Sequence, residues 1–425
     1  MKIHLLVLLS LCVVVSLIAG CATPPAAAPA AQPTAAPAQP TTASAKPCTI
    51  TFGAAVSLTG ATAKEGEYVK NGYNMFIEDV NKEGGFKVGS QKCTLVLKIY
   101  DDESNADTSA KLIEKLVTED KVNLLLGPYG TGPVFSASAI AEKYDVPMVE
   151  PGGAGMKIFT RGFKNVWGTL PAAPNYLKSA VDMIMARDPS AKNVALFIEN
   201  DSFSQEVADG ITAYLKQKGL NLVYSEQYPK GTKDVSSLAT AAKAKNPDIV
   251  LGASHLADAE LVVKQAKDIG LNAKAWAFSV GPSTAEFGTA LGKDATYILG
   301  VTPWTPAMKF QGQDIYGTPQ KFADAFKAKY GYVPSYHSAS AVATMIAFQK
   351  AIEAAGSIDP KAVREQLNKL DVPTFYGQLK FSPEGIIVKP MGVVQWFDDG
   401  KMYTIWPKEV AEKDFVYPAP AWDKR

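Results

Sequence analysis

The sequence predicts an α/β protein built as two doubly wound lobes, each a parallel sheet with helices on both faces. Three observations predict it. From Cys48 onward, short apolar runs alternate with segments whose apolar residues recur at helical spacing. The alternation stops near Gly155 and restarts at Asn193, so there are two blocks of βα units. The chain has 425 residues, 47% hydrophobic and 20% charged, which suits a soluble globular protein of two or three domains.

In the first block, residues 49–57 read as a strand. Residues 68–83 form a helix through Val69, Tyr73, Phe76, Ile77 and Val80, stopped by Gly84-Gly85. Residues 94–100 are a strand ending in Asp101-Asp102-Glu103, and 107–119 a helix through Ala110, Ile113, Leu116 and Val117. Residues 122–126 are a short buried strand broken by Gly127-Pro128-Tyr129-Gly130. A helix at 134–144 and a strand at 147–150 follow, running into Pro151-Gly152-Gly153-Ala154-Gly155. In the second block, strands at 193–198, 222–227, 248–252 and 275–278 alternate with helices at 205–218, 235–245 and 257–269. Helices at 322–329, 339–355 and 360–370 come next. Residues 392–397 and 401–406 read as a hairpin around Asp398-Asp399-Gly400.

The N-terminus is an address. Residues 1–20 read as a signal peptide, with Lys2 at the basic start and an apolar run over 5–18 too short to span a bilayer. Leu17-Ile18-Ala19-Gly20-Cys21 resembles the bacterial lipoprotein box, which makes Cys21 the lipid attachment site. An ordinary signal peptide with a chance cysteine is the alternative. Residues 22–46 hold 11 Ala and 6 Pro and no large apolar residue, so they cannot join a core. Proline keeps them extended, and at about 3.1 Å per residue they reach roughly 75 Å. Residues 21–46 are therefore a lipidated cysteine and its tether.

Lys and Arg total 43 against 42 Asp and Glu, so the basic surplus of a nucleic-acid binder is missing. Three His and four Cys leave little material for metal chemistry, and no cofactor is expected. Cys48 and Cys93 each open an apolar run. If those runs are neighbouring parallel strands, the two cysteines lie side by side and a disulfide is geometrically reasonable; otherwise they are two free buried thiols.

In such sheets, ligands bind beyond the carboxyl ends of the strands. The loops there are 57–66, 127–133, 151–155, 199–204, 254–257 and 279–284, rich in Gly, Ser and Thr. Bare N–H groups near helix N-termini suit an anionic group such as a carboxylate. The same residues serve turns and caps in any α/β protein.

The ordered stretches Gly53-Ala-Ala-Val-Ser-Leu-Thr-Gly60, Lys70-Asn-Gly72, Asp79-Val-Asn81 and Tyr100-Asp-Asp102 carry a resemblance. So do Leu126-Gly-Pro-Tyr-Gly-Thr131, Pro151-Gly-Gly-Ala154, Phe159-Thr-Arg-Gly162 and Pro334-Ser-Tyr336. In their order and spacing, over residues 50–406, the chain resembles the ABC-transporter substrate-binding proteins of the branched-chain amino acid group, the type I periplasmic binding fold. The resemblance implies two α/β lobes joined by a three-stranded hinge: 47–170 plus 303–390, and 171–302 plus 391–425. It implies a monomer that closes on a small solute and docks on a membrane permease, with no catalysis. The location implied is the cell envelope, outside the cytoplasm.

The resemblance also implies site residues. Tyr129, Gly130 and Thr131 stand where a loop offers a hydroxyl and N–H groups to a ligand carboxylate. Gly152, Gly153 and Ala154 stand in the next such loop, where a carbonyl meets the ammonium, but Ala154 lacks the usual hydroxyl. Glu65 lies near a wall aromatic's position, Phe203 matches another, and Trp304 lies near a third. His255 matches a tyrosine that helps hold the ammonium. The acid that pairs with the ammonium falls on or beside Ser279. A buried ammonium without a carboxylate costs several kcal/mol. Either Glu65 or Glu150 replaces the acid, or the ligand is a carboxylate, amide or small polar solute without an α-amine. Each residue also has a plainer role: Phe203 and Trp304 as core aromatics, Tyr129 as a loop anchor, His255 as a helix cap, Glu65 as a solvated acid.

Two rival functions remain in view. A ligand-sensing lipoprotein would report to a membrane receptor. An exported hydrolase would need a nucleophile and base; beyond the signal only His255 and His337 are present, although a carboxylate-pair glycosidase needs neither.

Overall fold

The computed structural model describes residues 48–425. The signal peptide, Cys21 and the tether expected over residues 1–46 lie outside them.

The elements in chain order are β1 (Thr49–Val56), α1 (Ala63–Lys82), β2 (Phe86–Val88), β3 (Gln91–Asp101), α2 (Ala106–Thr118), β4 (Leu124–Leu126), α3 (Thr131–Lys143), β5 (Met148–Glu150), α4 (Met156–Phe159) and β6 (Val166–Gly168). There follow α5 (Lys178–Arg187), β7 (Asn193–Asn200), α6 (Ser202–Gln217), β8 (Asn221–Pro229), α7 (Ser236–Lys243), β9 (Ile249–Ala253), α8 (Leu256–Ile269), β10 (Ala275–Phe278), α9 (Ala285–Leu291) and β11 (Leu299–Thr302). The last are α10 (Pro319–Tyr330), α11 (Tyr336–Ala355), α12 (Pro360–Leu367), β12 (Asp371–Thr374), β13 (Gly377–Lys380), β14 (Gly392–Trp396) and β15 (Met402–Trp406).

Two sheets result. The first runs β2-β3-β1-β4-β5-β6 and the second β15-β14-β11-β10-β9-β7-β8. In the first, only β2 is antiparallel to its neighbour. In the second, β7 to β11 are parallel and the tail hairpin β14–β15 continues them antiparallel at one edge. The chain passes between the sheets three times: after β6, after β11 and before β14. Helices α10 to α12 return to the first lobe, where α11 packs on α1, β2 and β5.

Local chemistry explains the boundaries. Asn105 caps α2 by accepting from Asp107 N–H at 2.9 Å and Thr108 N–H at 3.0 Å. Thr318 caps α10, with Pro319 at its first position and Gly331 at φ +84° after its end. Helix α1 begins at Ala63, earlier than its apolar spacing indicates, because Gly66 lies inside the helix. A Cβ there would stand 1.7 Å from the Ser57 carbonyl oxygen, so only glycine lets α1 approach the end of β1. The short strands β2, β6 and β11 and the helix α5 have no clear sequence signal of their own.

Register pairs Thr49 of β1 with Thr94 of β3. Cys48 and Cys93 therefore adjoin, with Cα atoms 4.5 Å apart, and are disulfide-bonded.

Candidate functional site

The carboxyl ends of the two sheets face each other, and their loops meet. From the first lobe come Glu65 in the first turn of α1, Tyr129 after β4, and the 151–155 loop after β5. From the second come Asp201, which caps α6; Phe203; Ser254 after β9; and His255, at the start of α8. Tyr129 Oη lies 3.0 Å from His255 Nδ1. Glu65 Oε1 accepts from Leu256 N–H at 3.2 Å. Glu206 of α6 accepts from Met156 N–H at 2.5 Å. Each of these contacts joins one lobe to the other.

Helix α11 holds the first-lobe side. Ser338 Oγ donates to the Tyr68 carbonyl at 2.9 Å and Ser340 Oγ to the Pro151 carbonyl at 3.0 Å. Its first turn brings His337 under the cleft, stacked on Tyr336 at 3.9 Å. The rings then form a continuous path across both lobes. Tyr68 lies 5.9 Å from His337, His337 5.3 Å from Tyr129, Tyr129 5.6 Å from His255, His255 5.2 Å from Phe203, and Phe203 5.2 Å from Tyr176. Such a wall suits a solute with an apolar or aromatic body.

The electrostatics centre on His255. Burial alone would lower its pKa, but the charges of Asp201 and Glu199 outweigh burial and raise it to about 9. Its Nε2 lies 2.8 Å from Asp201 Oδ2, and its backbone N–H donates to Glu199 Oε2 at 2.8 Å. Burial opposes ionisation of Asp201 too, yet the imidazolium holds it well below the usual carboxylate range. Burial pushes Glu65 up against the opposing pull of His255. Asp258, one turn into α8, is pushed up to about 7 by burial and by Glu199. His337 goes the other way, down to about 3, through burial and then the charge of His255. Several atoms here are buried without a partner: His337 Nε2, Tyr176 Oη, Ser204 Oγ, Ser254 Oγ, Tyr228 Oη, Glu199 Oε1 and Asp258 Oδ1. Buried polar atoms are normally satisfied by protein, water or a bound group, so these atoms are open to one.

Four of the residues expected from sequence come together here: Glu65, Tyr129, Phe203 and His255. Glu65 is buried, at 2% exposure, not a solvated loop acid. Some of the groups expected to meet a ligand already have partners inside the first lobe, while the Thr131 O–H keeps its proton to donate. Thr131 Oγ1 accepts from Gly155 N–H at 3.1 Å, and Gly130 N–H donates to the Gly152 carbonyl at 3.2 Å. Glu150 Oε2 accepts from Gly152 N–H at 2.8 Å and Gly153 N–H at 2.5 Å. Glu150 therefore works as a loop clasp. Side chains are excluded at both glycines, since a Cβ would stand 2.7 Å from Tyr129 Cα and 2.6 Å from Ile158 Cδ1 respectively. Ala154 is buried, and its carbonyl accepts from Ala173 N–H at 2.8 Å. Ser279 ties two loops of the second lobe: its hydroxyl accepts from Ser254 N–H at 3.0 Å and donates to the Ser254 carbonyl at 2.9 Å.

Trp304 is a correction. Its ring packs edge-on against Phe322 and Phe375, and its indole N–H donates to the Phe375 carbonyl at 3.1 Å. With Tyr316 these rings form an aromatic core beside the hinge, and that packing accounts for Trp304. Sequence reasoning also missed Glu199, Asp258, Tyr228 and Tyr176. Glu199 at least opened a loop expected to face the cleft; Tyr176 gave no signal.

Residues 49–401 match the family model described as periplasmic binding protein. The chain is 27% identical over 392 residues to Leu/Ile/Val-binding protein homolog 7 of Brucella suis biovar 1, covering 87% of this chain and 94% of the relative. It is 27% identical over 385 residues to homolog 8 of Brucella abortus, covering 85% and 91%. Among solved structures, it superposes on the branched-chain amino acid transporter substrate binding protein of Streptococcus pneumoniae, in complex with isoleucine. There the TM-score is 0.75 at 21% identity, covering 87% of this chain and all (100%) of the other. An ABC transporter solute binding protein of R. palustris in complex with benzoate gives a TM-score of 0.73 at 18% identity, covering 88% and 97%.

Proposed function

Because the chain belongs to the periplasmic binding protein family, we propose that it is the extracytoplasmic solute-binding lipoprotein of an ABC importer. The solute is captured between the two lobes and delivered to a membrane permease. The observation that carries this reading is the row of contacts from Tyr129, Glu65 and Met156 to His255, Leu256 and Glu206, around buried polar atoms that lack partners. A solute that touches both lobes stabilises their closed arrangement by its differential affinity for it. The permease then receives a closed, loaded lobe pair. The candidate solutes are a hydrophobic amino acid or a related carboxylate, amide or amine, matching the aromatic path.

A thermal-shift panel of amino acids, carboxylates, amides and amines on the purified protein identifies the solute, since binding to the folded state alone raises the melting temperature. His255→Ala then lowers affinity for that solute at least tenfold, about 1.4 kcal/mol, by removing the second lobe's contact to Tyr129. Equal affinity in variant and wild type would exclude the cleft. Anchoring is tested separately. Cys21→Ala moves the protein from the membrane to the soluble fraction, and continued membrane fractionation would refute the lipid.

A further inference from the structure

The second lobe holds a group of oxygens that the interlobe contacts do not use. They lie at the carboxyl ends of β7, β8 and β9 and in the first turn of α8. Glu199 Oε1 and Asp258 Oδ1 lack a hydrogen-bond partner, and the Ser254 and Tyr228 hydroxyls beside them have none but each other. Their residues are buried, at 0%, 7%, 0% and 3% exposure. Tyr228 stands beside the Ser254 hydroxyl and under the negative charges of Asp258 and Glu199. Two neighbouring cations, His255 at 2.8 Å and Lys230 at 3.8 Å, sit on Asp201 Oδ2. Glu199 and Asp258 thus make no ion pair of their own, and a buried acid without a cation is costly whenever it is ionised. Asp258 also lines a cavity of about 210 Å³, whose charged lining is Asp258 and Glu260 against Lys233 and Lys264, with Ala61 from the first lobe.

We propose that the cleft takes an organic cation rich in N–H donors, a primary amine or a guanidine without a balancing carboxylate, with its cationic group seated among Glu199, Asp258, Ser254 and Tyr228. This deepens the solute-binding reading and rests on it. Two unpaired carboxylate oxygens suit a cationic group with several N–H donors, which a quaternary ammonium lacks. The carboxylate is left out because the Gly130 N–H, in the loop the sequence resemblance assigns to it, already donates to the Gly152 carbonyl, and Ala154 lacks the hydroxyl of the next loop. A metal ion is the rival occupant, since ligand atoms of Glu199, Asp201 and His255 lie within 4.8 Å of one another. Against it, both ring nitrogens of His255 already have partners, Tyr129 and Asp201, and a ligating imidazole must be neutral.

The test is calorimetric titration of the whole protein, in EDTA, with putrescine, agmatine and benzylamine, and in parallel with isoleucine and benzoate. The expected result is binding of at least one amine or guanidine more tightly than either carboxylate. Glu199→Gln and Asp258→Asn then weaken it tenfold or more while circular dichroism stays unchanged. Preferential binding of isoleucine or benzoate overturns the inference and leaves solute binding standing. Silence from all five probes overturns the inference, and the broader thermal-shift panel then decides the solute-binding reading by itself. Stabilisation by zinc or calcium without EDTA, abolished by Glu199→Gln, with no response to amines, assigns the oxygens to a metal and also overturns it. Should a variant fail to fold, the wild-type ranking of amine against carboxylate still decides.

Discussion

Glu150→Gln raises the melting temperature at pH 8 by on the order of 5 °C and changes it far less at pH 5. Glu150 is fully buried, and burial pushes its pKa from 4.5 up to about 8, against the opposing Gly153 and Gly152 N–H bonds. Its folded pKa lies above its unfolded one, so the folded state binds the extra proton. The associated stability is complete below about pH 4.5 and is lost as pH rises through 8. The loss approaches roughly 5 kcal/mol at about 1.4 kcal/mol per unit, which for a body of this size converts to about 6 °C. The proton must sit on Oε1, which has no partner, because Oε2 accepts both N–H bonds. A glutamine amide reproduces that neutral arrangement at every pH. His337 has the opposite sign: its pKa falls to about 3, so its contribution is lost as pH drops from 6.5 toward 3. The two trends offset each other below pH 6.5. Above it Glu150, Asp258 and His255 all favour lower pH, so wild-type stability declines from pH 6.5 to 9. Calorimetric scans of both proteins across pH 5–9 check this. A variant that melts below wild type at pH 8 would mean that Glu150 is ionised and needed so.

Trp304→Ala costs about 3–5 kcal/mol of stability, the range for removing a large aromatic from a core. The substitution empties the space among Phe322, Phe375 and Tyr316 and leaves the Phe375 carbonyl without its indole donor. The denaturant midpoint falls, and the protein that stays folded binds solute with its normal affinity. A variant with an unchanged midpoint and weaker binding would return Trp304 to the cleft wall.

The strands β1, β3, β4, β5, β7, β8, β9 and β10 were legible as short runs ended by Gly, Pro, Ser or an acid. Helix α1 was legible in its apolar stripe but not at its start. Gly66 looks like a loop residue until the Ser57 carbonyl beside it is known. In the candidate site, Glu65, Tyr129, Phe203 and His255 could be found because loop position at a strand end is a sequence property. Trp304 also follows a strand end, β11, but there the chain turns into the aromatic core beside the hinge, and nothing local marks the difference. Asp258 reads as an ordinary acid in a helix's first turn. Its weight comes from Glu199, 59 positions away, and only the sheet order β9-β7-β8 brings the two together.

Helix α11 has a consequence for how the protein is made. It is almost wholly buried, and Ser338 reaches back across 270 positions to Tyr68. The first lobe therefore cannot finish its interior while its early half is leaving the ribosome; it waits for residues 336–355. Contacts so distant along the chain make folding slow. The return of α11 ties completion of the first lobe's interior to the arrival of the chain's last quarter.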